Sequence, residues 1–185
     1  LREKVLGEPF SSFDVTSLEK DLTRFNKTVF LSGKALPTNK VVDLLKASVD
    51  EFNPVLPVVT DLRNPALKKR HWDQIHELVG VEIQGQDDLT LQDLISKGVT
   101  GHQESIATIA TTALQESILE EMMGKVTKLW ADATLEVRPY KEVKDLYILG
   151  DTSEIVANLD DSLVTINTVL GSRYVGGIRE FVDSW

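Results

Sequence analysis

The residues whose types could do chemistry are few, and most are spaced wrongly for it. Gly33-Lys34, in the run Phe30-Leu31-Ser32-Gly33-Lys34-Ala35, resembles the end of a phosphate-binding loop. Such a loop needs an earlier glycine, where Thr28 stands, and a serine or threonine after the lysine to hold magnesium, where Ala35 stands. The run therefore reads as a helix C-terminus carrying Gly and Lys. His71 and His76 are five residues apart and point to different faces of one helix, whereas a helical zinc pair sits about four apart with a glutamate beside the first. His102 has no evident partner in the sequence. Lys68-Lys69-Arg70 could touch an anion or an acidic partner, but a mid-helix run of this kind reads as a solvated face. Asp87-Asp88 and Asp160-Asp161 lack the alternating ligand spacing of a calcium loop. No serine sits in a nucleophile-elbow context. Paired catalytic carboxylates stay open, since such partners can be far apart in a chain. No catalytic, cofactor-binding or metal-binding residue is assigned, and the chain is expected not to be an enzyme by itself.

Composition narrows the class. The chain has 185 residues, 42% hydrophobic and 26% charged, ordinary values for a folded protein. A net charge of -9 argues against nucleic-acid binding. The absence of cysteine excludes a disulfide framework and a thiolate metal site. No apolar run approaches the ~18 residues needed to cross a bilayer, so no membrane partner is expected. Leu1 stands where Met would open a chain, and Trp185 closes an amphipathic stretch, so both ends are expected to be cut from a longer protein.

The apolar residues recur mostly at helical spacing. Thr16 and Glu19 make a capping-box pattern before Leu18, Leu22, Phe25 and Val29, with Gly33 as the stop. Thr38 is the expected cap for Val41, Leu44, Leu45, Val49 and Phe52, a helix that should end at Asn53-Pro54. The apolar run from Pro54 to Thr60 fits a short helix or an extended connector. Asn64-Pro65 reads as a helix start and Gly80 as its stop, with Leu67, Trp72, Ile75 and Val79 inward and a loop over 81–88 after it. A short helix over Thr90 to Lys97 follows. The longest periodic segment runs from His102 to Ala131, with Ile106, Ile109, Ala110, Ala113, Leu114 and Ser117, then Leu119, Met122, Val126, Leu129 and Trp130, along its stripe. The period then changes to two over short runs near Leu135-Val137 and Leu146-Leu149, which reads as a hairpin that must pack on helices to persist. Asp151 with Glu154 opens a helix whose face is Ile155, Leu159, Leu163, Ile166 and Leu170. A last helix carries Tyr174, Ile178, Phe181, Val182 and Trp185. The expected fold is mainly α, an elongated helical array with one small inserted hairpin at about 133–149, divided into a helical subdomain at 1–98 and a second at 99–185.

The run Leu62-Arg63-Asn64-Pro65-Ala66-Leu67-Lys68-Lys69-Arg70-His71-Trp72 resembles the signature of the dynein heavy-chain linker, the N-terminal region 2 of that family. Glu104-Ser105-Ile106 and Ala113-Leu114-Gln115-Glu116, in a helix ending at Trp130, resemble its long helix, and Arg138-Pro139-Tyr140-Lys141 its hairpin. Leu159-Asp160-Asp161-Ser162-Leu163 with Ser172-Arg173-Tyr174 resembles the helix and turn after it. Order and spacing agree from about Leu36 to Trp185, and the wording is closer to axonemal than to cytoplasmic heavy chains. The resemblance marks Asn64, Pro65, Arg70, His71, Trp72, Trp130, Ser172, Arg173 and Tyr174 as family-signature residues. It implies a mechanical linker that bends and straightens over an AAA+ ring of the same heavy chain, driving ATP-powered movement on microtubules in a ciliary or flagellar axoneme. ATP and magnesium would then belong to the ring of the parent motor, with no cofactor in this segment. A lever needs an element with two arrangements, and Gly171, Gly176 and Gly177 are the candidate hinge. Those glycines also fit a loop or a close helix contact. The alternative function is a helical scaffold or adaptor that binds another protein, and such a domain would expose an apolar patch.

Overall fold

The computed structural model of the chain describes residues 7, 9–10, 14–36, 39–80, 83 and 90–185. They fall into two compact units, Leu1–Leu114 and Gln115–Trp185. The fold is mainly α with one small antiparallel hairpin, as the periodicity predicts.

In the first unit, α1 (Val15–Ala35) is capped by Asp14, ahead of the Thr16 that the Thr16/Glu19 pattern suggests. Asp14 Oδ1 accepts from the backbone N–H groups of Thr16 at 3.0 Å and Ser17 at 3.2 Å. A carboxylate outranks a threonine as a cap and also meets the positive end of the helix dipole. The helix runs past Gly33 to Ala35. Asn39 caps α2 (Lys40–Phe52), its Oδ1 accepting from Val41 N–H at 2.8 Å. The expected cap Thr38, the pair Asp87-Asp88 and most of the loop over 81–88 lie outside the described residues. The ambiguous run after Pro54 is helix α3 (Val55–Leu62). Pro57 falls in its first turn, where the missing N–H breaks no helical bond. Val55, Val58, Val59 and Leu62 are buried and form the centre of the first core with Leu18, Leu22, Phe52, Ile75, Leu91, Leu94 and Ile106.

The helix expected from Asn64-Pro65 begins later, as α4 (Lys69–Val79). Residues 64–67 form a tight turn instead, and the basic run Lys68-Lys69-Arg70 opens the helix rather than lying in its middle. Gly80 ends α4 in the left-handed region at φ 73°, where glycine carries no β-carbon penalty. Thr90 and Asp93 cap α5 (Leu91–Ser96) reciprocally, the Thr90 hydroxyl donating to Asp93 Oδ2 at 2.7 Å and accepting from Asp93 N–H at 3.2 Å. A 3-10 turn, Val99–His102, leads into the longest helix, α6 (Gln103–Ala131).

The first part of α6 buries Ile106, Ala110 and Ala113 in the first unit; the second part buries Glu116, Leu119, Met123 and Val126 in the second. The expected stripe placed Leu114 and Leu129 inward, but both are exposed, and Glu116 and Met123 take the inward positions. Strands β1 (Val137–Pro139) and β2 (Tyr147–Leu149) pair with Val137 opposite Leu149 and Pro139 opposite Tyr147. Every residue of both strands is exposed, which corrects the expectation that the hairpin packs on helices. In α7 (Ser153–Leu170) the buried residues are Ser162 and Val169, while Leu159 and Leu163 are 47% and 48% exposed. Ile166 and Leu170 of the expected face pack on the second core, but around Ser162 the helix is turned from that face, with Trp130 bonded to Ser162 and Ser162 to the Asn158 carbonyl. A 3-10 turn, Val175–Ile178, and a short helix, α8 (Arg179–Asp183), complete the second core by burying Val175, Ile178 and Val182 with Leu119, Met123 and Val169.

Gly124 is exposed inside α6 with open space where a β-carbon would stand. Gly124→Ala should raise unfolding stability by about 0.5–1 kcal/mol in a urea titration. The Asp93 carboxyl is held below its ordinary range by the Thr90 hydroxyl and then the Thr90 N–H, and Asp151 likewise by the Ser153 hydroxyl and N–H. Both therefore bind protons less readily folded than unfolded. Their stabilisation is present above the ordinary carboxylate pKa of about 4 and is lost as pH falls below it through the lowered values. Amide exchange at the starts of α5 and α7 should rise over that acid range, and Asp93→Asn should flatten the response at α5.

Candidate functional site

The signature run builds a joint in the first unit. Leu62, the last residue of α3, is buried; Arg63 then donates from Nη1 to the Phe10 carbonyl at 2.7 Å. Asn64 satisfies the turn in several directions. Its N–H donates to the Asp61 carbonyl at 3.1 Å and its carbonyl accepts from Leu67 N–H at 3.1 Å. Its Oδ1 accepts from Ala66 N–H at 3.0 Å, and its Nδ2 donates to the Ala110 carbonyl of α6 at 3.2 Å. Pro65 occupies the second position of this turn, where its fixed φ is suited, and an asparagine before it is the favoured opener. Partial burial pushes the neighbouring Asp61 carboxyl above its ordinary range.

The two histidines serve the backbone. His71, 2% exposed, accepts from Lys68 N–H through Nδ1 at 3.1 Å, so it fills the role that a glutamate has in a capping box. That bond requires an unprotonated Nδ1. His76 Nε2 accepts from Ile83 N–H at 3.0 Å. Trp72 is half-buried against the first core, its ring 6.1 Å from that of His76. Arg70 is half-buried beside them on α4. Asn64 thus holds the turn over residues 64–67 and His71 the start of α4, while Trp72 packs on the first core. Among the described residues no cluster of three His, Asp or Glu side chains could hold a metal.

The remaining signature residues lie in the second unit. Trp130 Nε1 donates to Ser162 Oγ at 2.9 Å, and that hydroxyl donates to the Asn158 carbonyl at 2.7 Å. Ser172 Oγ accepts from Tyr174 N–H at 3.2 Å in the turn after α7, and the Arg173 guanidinium lies 4.7 Å from the Tyr174 ring centroid. Gly171 continues the helical conformation at φ -73°. Gly176 has open space on its β-carbon side, whereas the Glu116 carboxylate fills that side of Gly177. The inward placement of Glu116 does not follow from counting apolar residues along α6. A signal was available, because Glu116 stands three residues after Ala113 and three before Leu119 on the apolar stripe of α6.

Residues 2–185 match the family described as dynein heavy chain, N-terminal region 2. The chain belongs to the dynein heavy-chain family. It is 35% identical over 186 residues to dynein axonemal heavy chain 6 of Homo sapiens, covering 100% of this chain and 4% of that protein. It is 33% identical to dynein axonemal heavy chain 2 of Mus musculus over 79% of this chain and 3% of that one. It is 30% identical to the dynein-1-beta heavy chain of the flagellar inner arm I1 complex of Chlamydomonas reinhardtii, over 95% of this chain and 4% of that one. The chain thus spans a small fraction of these heavy chains, and the family assignment rests on nearly its whole length.

Asn64 is the signature residue with the most to lose. Asn64→Ala removes both side-chain bonds and leaves the Ala66 N–H without that acceptor, so it should cost about 1–3 kcal/mol. A urea midpoint equal to that of the unaltered chain would show that the turn is held without it.

Proposed function

We propose that this chain is a segment of the linker of a dynein motor, a lever that bends and straightens over the AAA+ ring of the same heavy chain and so drives movement along microtubules. The observation that carries the reading is the match of residues 2–185 to N-terminal region 2 of the family. The ring would be its intramolecular partner, and microtubules would be reached through other parts of the heavy chain. The named relatives are axonemal or flagellar heavy chains, which supports an axoneme as the place of work.

In this reading ATP and magnesium act in the ring, and the segment supplies no nucleotide chemistry. The Gly33-Lys34 geometry supports that division. Both residues lie in the last turns of α1, Thr28 Oγ1 donates to the Arg24 carbonyl inside the same helix, and Lys34 Nζ sits 4.3 Å from the Phe30 ring centroid. A phosphate loop would need its backbone N–H groups turned together towards one anion, and in a continuous helix they are not. Gly171, Gly176 and Gly177 remain the candidate positions for flexing, at the end of the second unit.

A second reading, a helical scaffold that docks another protein, is favoured by one observation. Val156, Leu159 and Leu163 form an exposed apolar stripe along α7. The readings separate on whether the partner is the heavy chain's own ring or a different protein. In the parent motor, deletion of residues 1–185 should leave ATP hydrolysis in the ring measurable and reduce microtubule gliding several-fold. Gliding at full speed would contradict a lever.

A further inference from the structure

We infer that Glu116 and Gly177 form a two-state latch that fixes the turn Val175–Ile178 and helix α8 onto α6 within the second unit. Glu116 is 6% exposed, and its carboxylate occupies the position that a β-carbon on Gly177 would take, with Cδ and Oε2 each 2.6 Å from that position. Of the described glycines, the two with positive φ are Gly80 and Gly98, so backbone conformation does not require glycine at 177. The close approach of Glu116 does. Gly176, one residue earlier, has nothing within 4 Å of the same position.

Closure buries Val175, Ile178 and Val182 on Leu119, Met123 and Val169, the second apolar core. The carboxylate either seats on the bare Cα of Gly177 or is displaced from it, because close-packed contacts give discrete arrangements and not a continuum. An adjoining cleft lined by Glu120, Gly176, Gly177 and Phe181 leaves room on one side of the turn. The use of such a latch as a bending point rests on the lever reading; its existence does not.

Hydrogen exchange on the whole 185-residue chain tests it. Gly177→Ala places a β-carbon where the carboxylate sits, and amides from Gly176 to Val182 should exchange about tenfold faster or more, while the first unit is unchanged. Gly176→Ala should leave those rates within about twofold. Adding Glu116→Ala to Gly177→Ala exchanges one bulk for another across the contact and should restore protection to within about threefold of the unaltered chain. The latch is overturned if Gly177→Ala changes nothing, if both glycine variants loosen the turn equally, or if the double variant is looser than Gly177→Ala. Those outcomes leave the lever reading standing, since that depends on gliding by the parent motor.

Discussion

Close approach of an irregular segment to one long helix is a constraint that recurs in both units. In the first unit, the Asn64 amide reaches a carbonyl of α6 at Ala110, a small buried residue on the face it shares with Ile106 and Ala113. A larger residue there would hold the turn away and leave that bond unmade. In the second unit, the same economy of volume falls on the approaching segment, where Gly177 has no β-carbon and the Glu116 carboxylate of α6 takes its place. Each contact fixes one irregular segment against a regular one. The helices on either side can then pack by ordinary apolar burial, around Ile75 and Ile106 in one core and around Met123 and Val169 in the other.

The two units differ in how completely they bury their apolar residues. Helix α3 of the first unit buries Val55, Val58, Val59 and Leu62 and half-buries Leu56. The second unit leaves Leu159 and Leu163 of α7 in solvent, together with Tyr147, Ile148 and Leu149 of the hairpin. The hairpin is held largely by its own edge bonds, with Tyr140 N–H donating to the Leu146 carbonyl at 2.9 Å and Gly150 N–H to the Glu136 carbonyl at 2.8 Å. Lys141 and Asp145 adopt positive φ to close its loop. Exposed apolar residues grouped in this way on a small unit are the physical feature expected of a surface that works against other protein.

Long periodic segments were the most legible part of the sequence. The helices at Val15–Ala35, Gln103–Ala131 and Ser153–Leu170 and the hairpin at about 133–149 follow from spacing and change of period. Starts were less legible, because several residues near each start can cap, and the choice depends on which side chain reaches the free N–H groups. Asp14 displaced Thr16 in that competition, and Asn64 spent its side chain on a turn and on α6 and so left the cap to Lys68 and His71. Helix facing was legible only where burial and apolarity coincide. In α7 a hydrogen bond from Trp130 to Ser162 overrides the apolar count, and no periodicity of α7 alone reports a partner on another helix. The signature residues were legible as a family pattern, while the roles of Asn64 and His71 in holding backbone became visible only from the atoms they touch.

A lever of the kind proposed changes its position when the ring turns over ATP. The most direct measurement is energy transfer in the parent heavy chain between a donor on the exposed hairpin loop at Lys144 and an acceptor on the ring, read without nucleotide and during ATP turnover. The account predicts two distinct transfer efficiencies that interchange with the nucleotide state. A single efficiency, unchanged while the ring hydrolyses ATP and microtubules glide, would contradict it.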